Sequence, residues 1–222
     1  MRDYILEKVK NTPHHFRFGG VRIEERDPLP ADINLNAILK AIENNLPSHY
    51  FHKLKGIVIQ HNEEFDEREV NAVYRDGTFY ITNQQSNTKD IIDDLVHEFA
   101  HHLETLYIQE IYGDESLINE FLKKRQELKF ELQSEGYWVK EYNFDNLKFD
   151  DNFDKFLYKR VGRNMLRMVT TGIFIRPYAA VSLREYFATG FEAYYLGKRD
   201  TLEKISPMLY DKITELHNSK NI

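Results

Sequence analysis

The spacing of hydrophobic positions changes along the chain, and each change marks a part. Phe16 to Phe18 and Val21 to Ile23 flank Gly19-Gly20, a pattern that predicts two short strands and a two-residue hairpin turn. Pro28 and Pro30 break the chain. Leu35, Ile38, Leu39, Ile42 and Leu46 then follow helical spacing, and Pro47 stops that helix. Gly56 to Gln60 carries Ile57-Val58-Ile59, a short buried strand. Val70 to Arg75 and Thr78 to Thr82 form a second hairpin about Asp76-Gly77, the strongest turn signal in the sequence.

Beyond this mixed first part the period is helical. Ile91, Ile92, Leu95, Val96, Phe99, Leu103 and Leu106 form one stripe, so a helix is expected from about Lys89 to Ile108. Asn87 or Thr88 can cap it, and Asp90, Asp93 and Asp94 suit the positive end of its dipole. Further helices are expected over Glu115–Ser134, Phe153–Val169, Leu183–Leu196 with Gly197 as C-cap, and Ser206–His217. Glu141 to Asp154 reads as turns pinned by Phe144, Phe149 and Phe153. Asp150, Asn152 and Asp154 have the spacing of the first calcium-loop ligands. Lys155 stands where that loop wants Gly and Val161 where it wants Glu, so solvated turns are expected instead. The chain is expected to be α+β, one domain over 1–222. A small mixed sheet and a long helix fill an N-terminal lobe of about 1–108, and helices fill a C-terminal lobe of about 109–222.

Composition narrows the function classes. With 222 residues, 41% hydrophobic and 14% aromatic, the chain can build a core. A net charge of -6 disfavours a sequence-blind nucleic-acid binder. Cys is absent, which removes thiol catalysis, disulfides and Cys-based zinc sites. No run approaches the ~18 apolar residues of a membrane span. The start at Met1 has no apolar signal core, so a cytoplasmic setting is expected.

His97-Glu98-Phe99-Ala100-His101 is the pattern H-E-x-x-H. Four apart on a helix, His97 and His101 project side by side and can hold one zinc ion. Glu98 sits beside the metal, placed to take a proton from the attacking water. His102 points elsewhere and reads as a packing or supporting residue. A catalytic zinc keeps three protein ligands. Glu104 and Tyr107 stand where a metzincin would carry Gly and His, which excludes that class. Two carboxylates compete for the third place. Glu120 has the eighteen-residue interval and the Asn-Glu pair of aminopeptidase- and thermolysin-type gluzincins, but Lys123 and Lys124 beside it suggest a solvated, salt-bridged face. The alternative is Glu185, in Glu185-Tyr186-Phe187-Ala188-Thr189-Gly190-Phe191.

This second segment, together with His97-Glu98-Phe99-x-His101, resembles the anthrax lethal factor family of zinc peptidases. There the ligand Glu is followed by two aromatics, Ala and, after a gap of two, Phe. The resemblance covers about a tenth of the chain. It implies a zincin-like fold, one zinc held by His97, His101 and Glu185, and Glu98 as general base. A Tyr seven residues before the ligand Glu assists catalysis in that family, and Tyr178 stands at that offset. It also implies an extended peptide or protein substrate paired with an exposed edge, the strand Thr78 to Thr82, where Tyr80 or Thr78 would line the cleft. Thr189 departs from the family, which carries an acid at that position, and the interval from His101 to Glu185 is long. The competing class is a catalytically silent zinc-binding module of a larger assembly, against which an intact Glu98 and Tyr178 argue. Lys155, Lys159, Arg160, Arg163 and Arg167 form a basic run, read as a solvated face balanced by Asp145, Asp150, Asp151 and Asp154.

Overall fold

The structure is a computed structural model describing residues 14–61, 63, 65, 71–85 and 87–219. Val70 and the start of the chain lie outside the described residues. The chain is α+β and divides into two compact units, with the boundary between His102 and Leu103.

The first unit is built on five strands. β1 (His14–Phe18) and β2 (Val21–Glu25) form the first expected hairpin, β3 is Gly56–Ile59, and β4 (Ala72–Arg75) and β5 (Thr78–Ile81) form the second. Asp76 (φ 52°) and Gly77 (φ 85°) are both left-handed, as the two-residue turn between β4 and β5 requires. The sheet order is β1-β2-β3-β5-β4. The β2–β3 and β3–β5 pairs are parallel, and the two hairpin pairs are antiparallel.

That order corrects one expectation. β5 pairs with β3 on one side and β4 on the other, so Thr78–Ile81 is an interior strand and, among the described strands, β4 is an edge. The sequence could not show this, because β5's second partner lies about twenty residues upstream.

Helix α1 (Leu35–Asn45) joins β2 to β3, with Leu35, Ile38, Leu39 and Ile42 buried. The Asn34 side chain caps it by accepting from the Ala37 amide at 3.0 Å. Helix α2 (Thr88–Leu106) starts under Asn87, whose Oδ1 accepts from the amides of Lys89 (2.9 Å) and Asp90 (3.1 Å). Its stripe meets the rest of the unit through Phe99. That ring lies edge-on to Phe79 of β5 at 4.9 Å and to Phe51 at 5.1 Å between centroids. This packing fixes how α2 is rotated about its axis, and with it the direction of His97 and His101.

The second unit, apart from the last turn of α2, contains α3 (Ile108–Tyr112), α4 (Ser116–Ser134), α5 (Asp151–Lys155), a π-helical stretch (Phe156–Gly162), α6 (Arg163–Thr170), a 3₁₀ turn (Pro177–Ala180), α7 (Leu183–Tyr195), α8 (Arg199–Ile205) and α9 (Pro207–Asn218). The helix expected over Phe153–Val169 is therefore interrupted, at Gly162 (φ 85°, ψ 154°). Asp150 caps α5 by accepting from the Phe153 amide at 2.8 Å. The alternating acids thus begin a helix and do not wrap an ion. Phe144 and Phe153 are buried as expected, but Phe149 is exposed. At Gly190 a Cβ would stand 2.2 Å from Cδ2 of the buried Leu209 of α9, so any larger residue there would have to displace that side chain.

Candidate metal centre

The structure brings three of the expected site residues together. The ligand atoms of His97, Glu98 and His101 all lie within 4.8 Å of one another. The two imidazoles are 4.7 Å apart and nearly perpendicular. His97 is half-buried, while Glu98 and His101 are buried. Local helix geometry produces the cluster. Residues four apart stack on one face, and Glu98 follows His97 about 100° further round.

His102 belongs to the support, as its place on the helix suggested. It is fully buried, with Nε2 2.9 Å from the His52 carbonyl and Nδ1 3.2 Å from the Tyr74 hydroxyl. A carbonyl only accepts, so Nε2 carries the proton, and in the neutral ring Nδ1 accepts from Tyr74. Burial lowers its pKa, against a smaller opposing effect of the His52 carbonyl bond, which favours that neutral form. His102 thereby ties α2 to the edge strand β4.

The two competing carboxylates both lie in the second unit. Glu120 is already committed. Its Oε1 accepts from the Tyr186 hydroxyl at 2.7 Å and the Leu209 amide at 3.2 Å, and its Oε2 from the Met208 amide at 3.0 Å. It caps α9 from outside that helix's own sequence. The reason offered by its lysine neighbours needs correction. Lys123 is exposed, but Lys124 is buried and donates to the carbonyls of Ile173 (2.8 Å) and Ile205 (2.6 Å). This face of α4 is a packed one.

Glu185 stands in the first turn of α7, where Ser182 accepts from its amide at 3.2 Å. Thr189, at the position where the lethal factor family carries an acid, turns its hydroxyl to the Glu185 carbonyl at 2.9 Å. The neighbouring Arg184 lies 3.5 Å from Glu104, which also accepts from the Tyr112 hydroxyl at 2.6 Å. Burial raises the pKa of Glu104, against the Tyr112 bond and Arg184.

Tyr178 is exposed on the 3₁₀ turn, which is held from both ends. Upstream, Arg176 pairs with the buried Glu192 of α7. Downstream, Arg125 of α4 donates to the carbonyls of Ala180 (2.5 Å) and Val181 (3.4 Å), and also to Asn143 (3.1 Å). Arg125 is 1% exposed, lies over the Phe153 ring at 3.9 Å, and burial pushes its pKa down to about 10. Sequence reasoning passed over Arg125, Arg176 and Glu192. For Arg125 a signal existed, since it takes a place in the stripe Leu117, Phe121, Leu128 and Leu132, where a cation is out of pattern.

Two imidazole nitrogens with a carboxylate beside them fit zinc, which takes such nitrogen and oxygen donors in a catalytic site. No protein-family model matches the chain, and no curated protein or solved structure matches it. Among the described residues no helix is long and apolar enough to cross a membrane.

Proposed function

We propose that the chain is a zinc-dependent peptidase of gluzincin type with a zincin-like fold. The observation that carries this reading is the His97–Glu98–His101 cluster on one helix, with Glu98 buried. His97 and His101 would hold the ion, with Glu185 as third ligand. The commitment of Glu120 to α9 supports Glu185 over it. Bound zinc supplies Lewis-acid polarisation of the scissile carbonyl and lowers the pKa of water. Glu98 takes the proton of the attacking water and passes it to the leaving amine. Tyr178 donates a hydrogen bond to the developing oxyanion, a contribution of about 3 kcal/mol for one such donor. The edge strand β4 offers backbone groups to an extended peptide.

The test is metal content and peptide hydrolysis measured together. Wild type is expected to carry zinc and cleave a peptide library. Glu98→Gln is expected to keep zinc and lose about 10²–10⁴-fold in rate. Tyr178→Phe is expected to lose kcat with little change in KM. Zinc without hydrolysis of any peptide would replace the enzyme by a silent metal-binding module.

A further inference from the structure

Glu104 joins three helices within the second unit. It stands in the last turn of α2, three residues after His101 and on the same side of that helix. Its Oε1 accepts from the hydroxyl of Tyr112 in α3 at 2.6 Å, and its Oε2 lies 3.5 Å from Nε of Arg184 in α7. The Glu104 side chain is 14% exposed against 48% for Arg184, so the carboxylate is the enclosed member of the pair. Tyr112 also reaches α7 directly. Its ring lies edge-on to the buried Phe187, with 6.4 Å between centroids.

Arg184 and Phe187 are three apart and share one side of α7. Glu185 projects about 100° round the axis from Arg184 and about 160° from Phe187. Two contacts on one side of a helix fix its rotation, and with it the direction of a residue on another side. Phe99 does the same for α2. The Ser182 cap sets where α7 begins, but a bond inside the same turn cannot set how that turn faces a neighbouring helix. A metal ligand needs such support, because its oxygen has to be held within roughly 0.5 Å of the working position.

We infer that Glu104 is a positioning residue for Glu185: with Arg184 and Tyr112 it fixes the first turns of α7 against the end of the helix that carries His97 and His101. The inference rests on the reading of Glu185 as third zinc ligand and names the device that aims it.

The experiment is zinc affinity by competition with a fluorescent chelator, with peptide hydrolysis read in parallel. Glu104→Gln and Arg184→Gln change the local charge in opposite senses. Both are expected to weaken zinc binding. Glu104→Gln should do so about tenfold, the lower end for a group that supports a ligand. The effect of Arg184→Gln should be smaller, since its side chain is half-exposed. Tyr112→Phe, which keeps the ring on Phe187, should also weaken binding. In a Glu185→Gln background, Glu104→Gln should add nothing, because it acts only through that carboxylate. Should Glu104→Gln fail to fold, Arg184→Gln carries the same test.

Effects of opposite sign in the two glutamine variants would mean that charge alone acts, and would overturn the positioning role. So would an undiminished effect of Glu104→Gln without the Glu185 carboxylate. If Glu185→Gln weakens binding and neither Glu104→Gln nor Arg184→Gln does, the positioning role falls and Glu185 remains a ligand. If Glu185→Gln changes nothing, the ligand reading fails and the positioning role with it. The full expected pattern in a protein that hydrolyses no peptide sinks the peptidase and leaves the positioning role.

Discussion

The segments His97–His102 and Tyr178–Glu192 each carry candidate site residues, but they are placed by different physics. The first is positioned locally. One helix with a sound cap and one apolar stripe orients His97, Glu98 and His101, and the Phe99 contacts fix the rotation. The second is positioned by partners distant in sequence. Arg125 grips the carbonyls of Ala180 and Val181 from 55 and 56 residues away, and Arg176 meets Glu192 across the turn. A site set by periodicity tolerates change around it, whereas a site set by buried clamps depends on each clamp. Four experiments probe this contrast.

The largest effect is expected at the local site. His97→Ala with His101→Ala removes both imidazoles from one helix face. Zinc content by elemental analysis should fall to background and peptide hydrolysis should vanish, while the circular dichroism spectrum is retained. A double variant that keeps stoichiometric zinc would mean that the cluster is not the metal centre.

Next is the clamp. Arg125→Met keeps volume but leaves three carbonyls without their buried donor, at a cost on the order of 3 kcal/mol in urea denaturation. Arg125→Lys should recover only part of this, because an ammonium cannot span the same acceptors. If Arg125→Met is as stable as wild type, the turn bearing Tyr178 is held by its own sequence and the contrast fails.

These two experiments also mark how far the sequence was readable. Both hairpins, α1, α2, α4, α7 and α9 follow from turn residues and helical spacing, because such signals are local. The edge role of β4 and the buried state of Lys124 do not, because each depends on a partner far along the chain, and the break at Gly162 does not because a glycine permits a positive φ without requiring it. The same divide runs through the candidate site. The His97–Glu98–His101 cluster was legible from spacing, and the supporting role of His102 from its place on the helix. The capping role of Glu120 was hidden, since its acceptors serve amides 88 and 89 residues away.

The two carboxylates give a third, smaller effect. Glu120→Gln should leave zinc affinity unchanged and lower stability by about 1 kcal/mol, as loss of a charged helix cap does. Glu185→Gln should weaken zinc binding and change stability less. Titration with a fluorescent chelator and urea denaturation read the two properties separately. If the effects are exchanged, the third ligand is Glu120 and the aminopeptidase-like reading replaces the present one.

The smallest effect is expected where a distant clamp lies at the surface. Lys212 of α9 donates to Asp114 at 2.7 Å, and the Asp114 carboxylate also accepts from the hydroxyl and the amide of Ser116 at 2.8 and 3.0 Å. The Lys212 bond, then the Ser116 bonds, pull the Asp114 pKa down from 3.8 to about 2. A carboxylate whose folded pKa is depressed stabilises the fold above its unfolded value and loses that contribution as pH falls through its folded value. The contribution should therefore be complete above 3.8 and disappear as pH approaches about 2. Asp114 is exposed, so solvent and salt screen the pair and the gain is small. Asp114→Asn should lower the urea midpoint slightly at neutral pH, and the gap to wild type should close through that acidic window and with added salt. A gap as large as that of Arg125→Met, or one unchanged down to the lowest pH, would show that distance along the chain rather than burial decides the strength of a clamp.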